Sequence, residues 1–206
     1  MKKITNILNE GGLHMFDVDD TLFHTTAKIH VKDKTGKTVK TLSNQEFNTH
    51  TLEPGHHYDF SEFRNADKFH RESKPISKMI NKIKSVHANV KQKPDSKVIL
   101  NTARADFDDK HRFLDKFRHH GIDIDNIHVE RAGNLPGDEH PAEKKMQIVR
   151  NHLARKPYSD VHLYDDSLSN LKRLQKMKHE YPHVKFHAHH VQPDGTVKKL
   201  KDDKND

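Results

Sequence analysis

An α/β fold with a doubly wound, mostly parallel sheet is the architecture this chain predicts. Two patterns carry that expectation. Short apolar runs alternate with segments of helical period, and chemically capable polar residues collect where the apolar runs end. Open sheets of this kind bind ligands beyond the carboxyl ends of their strands.

The elements follow in order. Residues 13–18 read as a short buried strand, and residues 28–42 as a hairpin, IHV and TVKTL on either side of a turn at Gly36. Residues 43–73 are polar and loop-rich. They nevertheless carry Phe47, Tyr58, Phe60, Phe63 and Phe69 around a Pro54-Gly55 turn, a composition that predicts packing against another part of the fold. Pro75 is expected to open the clearest helix, whose Ile76, Met79, Ile80, Ile83, Val86 and Val90 follow the i, i+3, i+4, i+7 template. A buried strand is expected over 97–102, a helix over 108–120 stopped by Gly121, and a short strand over 127–129. After the turn-rich AGNLPGDEHP come a helix over 142–153, a strand over 161–164, a helix over 168–180 and a last strand over 184–191. Residues 198–206 read as a polar tail of mixed charge.

Composition sets the bounds. A chain of 206 residues suits a single domain, 1–206, with room for a modest insertion. Hydrophobic residues make up 32% and charged residues 33%, yet the apolar ones are gathered into periodic segments, so a folded core is expected. The absence of Cys excludes a disulfide framework and fits a reducing compartment. The N-terminal MKKITNILNEGG has no apolar segment of signal-peptide length, and no run of about 18 apolar residues occurs, so no membrane association and a cytoplasmic location are expected. Lys and Arg number 37 against 30 Asp and Glu, a formal charge of +7 that favours polyanionic or phosphorylated partners. The 20 His are scattered, without HExxH or Cys/His ligand spacing, and read mostly as surface residues.

The chemistry begins at FDVDDTL, residues 16–22, which sets Asp17 and Asp19 at alternate positions where an apolar stretch turns polar. Residues i and i+2 of an extended segment project to one side, so the two carboxylates are expected to share a small volume. Paired carboxylates repel, and a divalent cation is the usual remedy. Mg2+ suits such a site, because it takes oxygen ligands from one or two carboxylates and a substrate phosphate. Asp20 and Thr21 read as a cap for the next element. A second strand ends on Asn101-Thr102-Ala103-Arg104 and a later one on Asp165-Asp166-Ser167, while the intervening helix carries Lys144 and Lys145 near its start. Acid pair, hydroxyl, lysine and acid pair therefore occur in that order.

Over residues 16–170 this order and these strand contexts resemble the haloacid dehalogenase (HAD) superfamily of phosphohydrolases, whose motifs are an aspartate pair, a Ser or Thr ending a strand, a Lys and a second acidic pair. The chain is also similar over most of its length to uncharacterised superfamily members from T4-like tailed phages, which carry strings comparable to VDDTLF, TARADFDD and DDSLSNL. The resemblance implies a HAD-like Rossmannoid fold and a Mg2+-dependent phosphatase. Asp17 would attack phosphorus and form an aspartyl-phosphate, and Asp19 would serve as general acid and then base. Thr102 would hydrogen-bond a phosphoryl oxygen. Lys145 would screen Asp17 and the phosphoryl group, with Lys144 as its rival, since neighbouring helix positions point about 100° apart. Asp17, Asp165 and the backbone carbonyl of Asp19 would ligate Mg2+, with Asp166 as a further ligand or holding a metal-bound water. Asn170 would orient that water or cap its helix. Arg104 would grip a phosphate or form a surface salt bridge.

The family's substrate selectivity often lies in a cap. Here the segment between Thr102 and Lys145 is filled by one helix, one strand and a loop, so the only insert expected is a small lid over residues 28–73. A small lid predicts an open site that accepts a phosphate on a large molecule. The basic balance then favours a nucleotide or a nucleic-acid terminal phosphate, with Phe47, Tyr58 and Phe60 stacking on bases or else forming the lid's own core. No obligate protein partner is implied, and a phage-encoded chain would work in the host cytoplasm. The alternative class is a non-catalytic or regulatory module that binds nucleic acid or phosphoprotein.

Overall fold

The computed structural model describes residues 11–137 and 139–201. In chain order the strands are β1 (Gly11–Phe16), β2 (Phe23–His24), β3 (Ile29–Lys32), β4 (Thr38–Leu42), β5 (His57–Asp59), β6 (Lys74–Pro75), β7 (Lys97–Thr102), β8 (His128–Arg131), β9 (Tyr158–Asp165), β10 (Lys185–Val191) and β11 (Val197–Lys199). The helices are α1 (Asn44–Phe47), α2 (Ala66–Glu72), α3 (Ser77–Val90), α4 (Lys110–His119), α5 (Pro141–Arg155) and α6 (Leu168–Lys176). The central sheet runs β11-β10-β9-β1-β7-β8, parallel throughout except for β11. The protein is thus α/β with a mostly parallel sheet, compatible with a Rossmann-like fold.

Alternation along the strands gives each sheet face its own core. Phe16, Val98 and Leu100 pack with Met79, Ile80 and Ile83 of α3 and with Phe113 and Phe117 of α4. The opposite face sets Leu13, Met15, Val161 and Leu163 against Met146 and Val149 of α5 and Leu171 and Leu174 of α6. From β1 the chain moves outward through β7 and β8, then returns to the other side of β1 with β9 and β10. The strand order therefore reverses between β1 and β9, and a crevice opens there at the carboxyl ends.

Several boundaries differ from expectation. The first strand ends at Phe16, although the N–H of Asp17 still donates to the carbonyl of Tyr164 at 3.0 Å. Asp19 consequently lies beyond the strand. Pro75 does not open α3, which begins at Ser77. It sits instead in β6, paired antiparallel with Phe23, where a residue lacking an N–H is tolerated because the pair is only two strands wide. Asp20 and Thr21 cap no helix: Asp20 adopts a left-handed φ of 54° in the turn that leads to β2. Residues 198 and 199, expected in a tail, belong to β11, which folds back on β10 through a turn at Gly195. All of β11 is exposed, so no apolar pattern marked it. Residues 202–206 of that tail lie outside the described residues. Among the described residues, no helix is long and apolar enough to cross a membrane.

The insert over 28–73 forms a lid with a three-stranded antiparallel sheet, β4-β3-β5. The lid is more structured than its polar sequence suggests. Ser43 and Glu46 form a capping box that starts α1, and the Asn65 side chain caps α2. Ala27, Ile29, Val31, Leu42 and Phe63 make the lid's own small core, flanked by Phe47 and Tyr58.

Candidate active site

The crevice between β1 and β9 gathers most of the residues that the motifs single out. Asp17 leaves the end of β1, Asp165 closes β9, and Lys145 reaches in from the first turns of α5, each with at most 5% exposure. The Lys145 ammonium donates to Asp17 Oδ1 at 2.7 Å and to Asp165 Oδ2 at 2.8 Å. Lys144 turns away and donates to the carbonyl of Leu135 at 2.8 Å. Helix geometry thus turns Lys145 toward Asp17 and Lys144 away from it.

Asp165 is held from three directions. Asn170 Nδ2 donates to both its carboxylate oxygens at 2.9 Å, and the Ser167 N–H donates to Oδ1 at 2.9 Å. Asn170 therefore positions a carboxylate, while Ser167 occupies the position that precedes α6. The Asp166 N–H donates to Thr21 Oγ1 at 3.1 Å, and its side chain accepts from Asn48 Nδ2 of the lid at 3.3 Å.

Asp17, Asp165 and Asp166 each place a carboxylate oxygen within 4.8 Å of the other two. Lys145 brings one positive charge to these three carboxylates. Burial pushes the Asp17 carboxyl up to about 7, with the Asp165 and Asp19 charges adding to the rise and Lys145 opposing it. Burial, then Asp165 and Asp17, pushes Asp166 well above the usual carboxylate range. Burial alone would lower the Lys145 ammonium, but Asp165 and Asp17 together hold it above the ordinary lysine value. An all-oxygen cluster whose own lysine leaves it under-neutralised fits a hard divalent cation such as Mg2+.

Asp19 and Arg104 form a separate pair. The Arg104 Nε and Nη2 donate to the two carboxylate oxygens at 2.9 and 2.7 Å, and Nη1 donates to the Phe63 carbonyl of the lid at 2.6 Å. The guanidinium carbon lies 5.0 Å from the Phe63 ring centroid and 4.6 Å from that of Phe69. This corrects the surface placement expected for the Arg104 salt bridge: the pair is buried, with Arg104 2% exposed, and the guanidinium is engaged by Asp19 and the lid. Thr102 is fully buried, and its Oγ1 accepts from the Arg104 N–H at 3.2 Å. The cavity wall at this strand end is made by Ala103, Arg104 and Ala105, so the structure does not bring Thr102 to the cavity surface beside Asp17.

The lid turns the crevice into a cavity of about 420 Å³, with Asp17, Asp19 and Lys145 on one side and Phe47, Phe60 and Arg64 on the other. The Phe47 ring lies parallel to that of His140 at 6.3 Å and meets Phe60 edge-on at 5.4 Å. The aromatics serve in part as the lid's core, as Tyr58 and Phe63 do, and in part as cavity wall. Sequence reasoning missed Asn48 and His140. Asn48 comes from a polar loop segment, and its link to Asp166 spans more than a hundred residues, so no local pattern announces it. For His140 the only signal was its place just before Pro141, at the start of α5.

Compared with known proteins, the chain matches no family model, no curated protein and no solved structure.

Proposed function

We propose that the protein is a Mg2+-dependent phosphomonoesterase of the haloacid dehalogenase type. The observation that carries this reading is the Lys145 ammonium bridging Asp17 and Asp165, with Asp166 alongside, at the point where the strand order reverses. Nucleophile, screening cation and metal carboxylates then sit in one buried volume.

Asp17, Asp165 and Asp166 would hold Mg2+, which would supply positive charge to the phosphoryl oxygens and to Asp17. Asp17 attacks phosphorus, the bond to the leaving oxygen breaks, and an aspartyl-phosphate forms. Lys145 stays paired with Asp17 and offsets the charge of the phosphoryl group as it approaches. Asp19, once it has taken a proton from solvent, would pass it to the leaving oxygen and recover one from the water that hydrolyses the intermediate. Both of its oxygens are engaged by Arg104, so each transfer requires one of those bonds to open.

The cavity bears on substrate. Its volume of about 420 Å³ is that of a small-molecule pocket, and Phe47 and Phe60 offer ring surfaces to a planar leaving group. A nucleotide fits this enclosure better than the open site expected from sequence. A panel of phosphorylated nucleotides, sugars, peptides and oligonucleotides tests the reading. Phosphate release that requires Mg2+, stops with EDTA and is lost in Asp17→Asn is the expected result. An Asp17→Asn variant with full turnover overturns the assignment, and tight binding of phosphorylated ligands without any turnover favours the non-catalytic module.

A further inference from the structure

The face of the sheet that carries α3 displays two aromatic rows beyond that helix. On the neighbouring strands β1, β9 and β10, His14, His162 and His187 lie in register, with ring centroids 4.5 and 4.3 Å apart and planes within 16° of parallel. The next row sets Phe16, Tyr164 and His189 in the same stacked manner, at 4.4 and 4.3 Å. His189 Nε2 lies 3.1 Å from His162 Nδ1.

A carboxylate joins the first row. His187 Nε2 is 2.9 Å from Asp160 Oδ1, while Ser159 Oγ donates to Asp160 Oδ2 at 2.7 Å. Asp160, His162 and His187 each bring one ligand atom within 4.8 Å of the other two. His14 Nδ1, beside them, is buried without a hydrogen-bond partner.

We propose that Asp160, His162 and His187 form a second metal site, for a first-row transition ion such as Zn2+, separate from the carboxylate cluster at the strand ends. Two imidazoles and one carboxylate are a ligand set that Zn2+ accepts, with a fourth position left to water. The ion takes the place of the proton between His187 Nε2 and Asp160 Oδ1, a neutral His187 then carrying its proton on Nδ1, and the His162 ring turns out of the stack to bring a nitrogen lone pair onto the ion. Ser159 holds Asp160 from behind, as outer partners do in metal sites. Lys82, Lys93, Lys185 and Lys199 border the cluster, and their charge limits its affinity for any cation. Asp160 and Asp165 are five residues apart on β9, about 16 Å at roughly 3.3 Å per residue, so one ion cannot serve both sites.

The test uses the full chain in excess Mg2+, with Co2+ as a spectroscopic probe and Zn2+ as competitor. One Co2+ with the visible absorption of a tetrahedral ion, displaced by Zn2+ and retained in Asp165→Asn, is expected. His162→Phe, which keeps a ring in the stack, and His187→Gln should each weaken it by more than about 100-fold, and Ser159→Ala by about tenfold. Circular dichroism checks that each variant folds. A spectrum that survives both histidine substitutions, disappears in Asp165→Asn, or never forms in the native chain overturns the proposal.

Discussion

Lys145 is the residue on which the site turns. Its ammonium is fully enclosed between two carboxylates, and breaking a buried pair by removing one partner costs about 3–5 kcal/mol. Lys145→Met should therefore lower the melting temperature in EDTA and reduce turnover by about 10²–10³-fold, and Mg2+ should restore part of the stability but little of the rate. Asp17 adds a pH dependence whose sign follows from its upward shift, from the ordinary 3.8 to about 7. The folded state then binds a proton more tightly than the unfolded state, so metal-free stability is lost as pH rises from about 4 through about 7. Mg2+ competes with that proton. The rise in melting temperature on adding Mg2+ should be larger at pH 8 than at pH 5, as differential scanning fluorimetry can measure. Arg104→Lys keeps the charge but loses the two-pronged contact with Asp19. We expect it to reduce kcat more than it raises KM, because both donors on that side of the guanidinium are engaged by Asp19.

Elements decide how these residues meet. The helix α3 was legible from its apolar stripe alone, and Ile83 lies fully buried at the centre of that stripe. Ile83→Ala should destabilise the fold by about 2–5 kcal/mol in chemical denaturation while leaving the proposed Mg2+-dependent turnover of the folded protein intact. Gly133, by contrast, carried no periodic signal. A Cβ built there would lie 2.5 Å from the Ala103 carbonyl oxygen, against the loop that forms part of the cavity wall. Gly133→Ala should raise KM more than it lowers stability, and steady-state kinetics beside thermal melts separate the two. The lid was the least legible element. Its strand β5 is three residues long and its helix α1 four, too short for any period to show, although the capping box at Ser43 marks where α1 begins.

At the scale of the whole molecule, parallel strands joined by helices place every strand's carboxyl end on one edge of the sheet. That is why motifs scattered over 150 residues converge, and why the strand-helix alternation was sufficient to expect a site at that edge. Like-charge repulsion at the ends of β1 and β9 is what led the sequence to predict a cation, and the strands β1, β7 and β9 and the acids at those two ends follow from local pattern, because periodicity is a property of neighbouring residues. The choice of Lys145 over Lys144, the capture of Arg104 by Asp19, the withdrawal of Thr102 from the cavity and the enclosure by Phe47, Phe60 and His140 do not. Each depends on which side chain points where after distant segments pack, and a rotation of about 100° along one helix, or one strand ending two residues earlier, changes the partner entirely. The histidine rows show the same division most plainly. Their members look scattered along the chain, and only the parallel register of β1, β9 and β10 stacks them into a single surface.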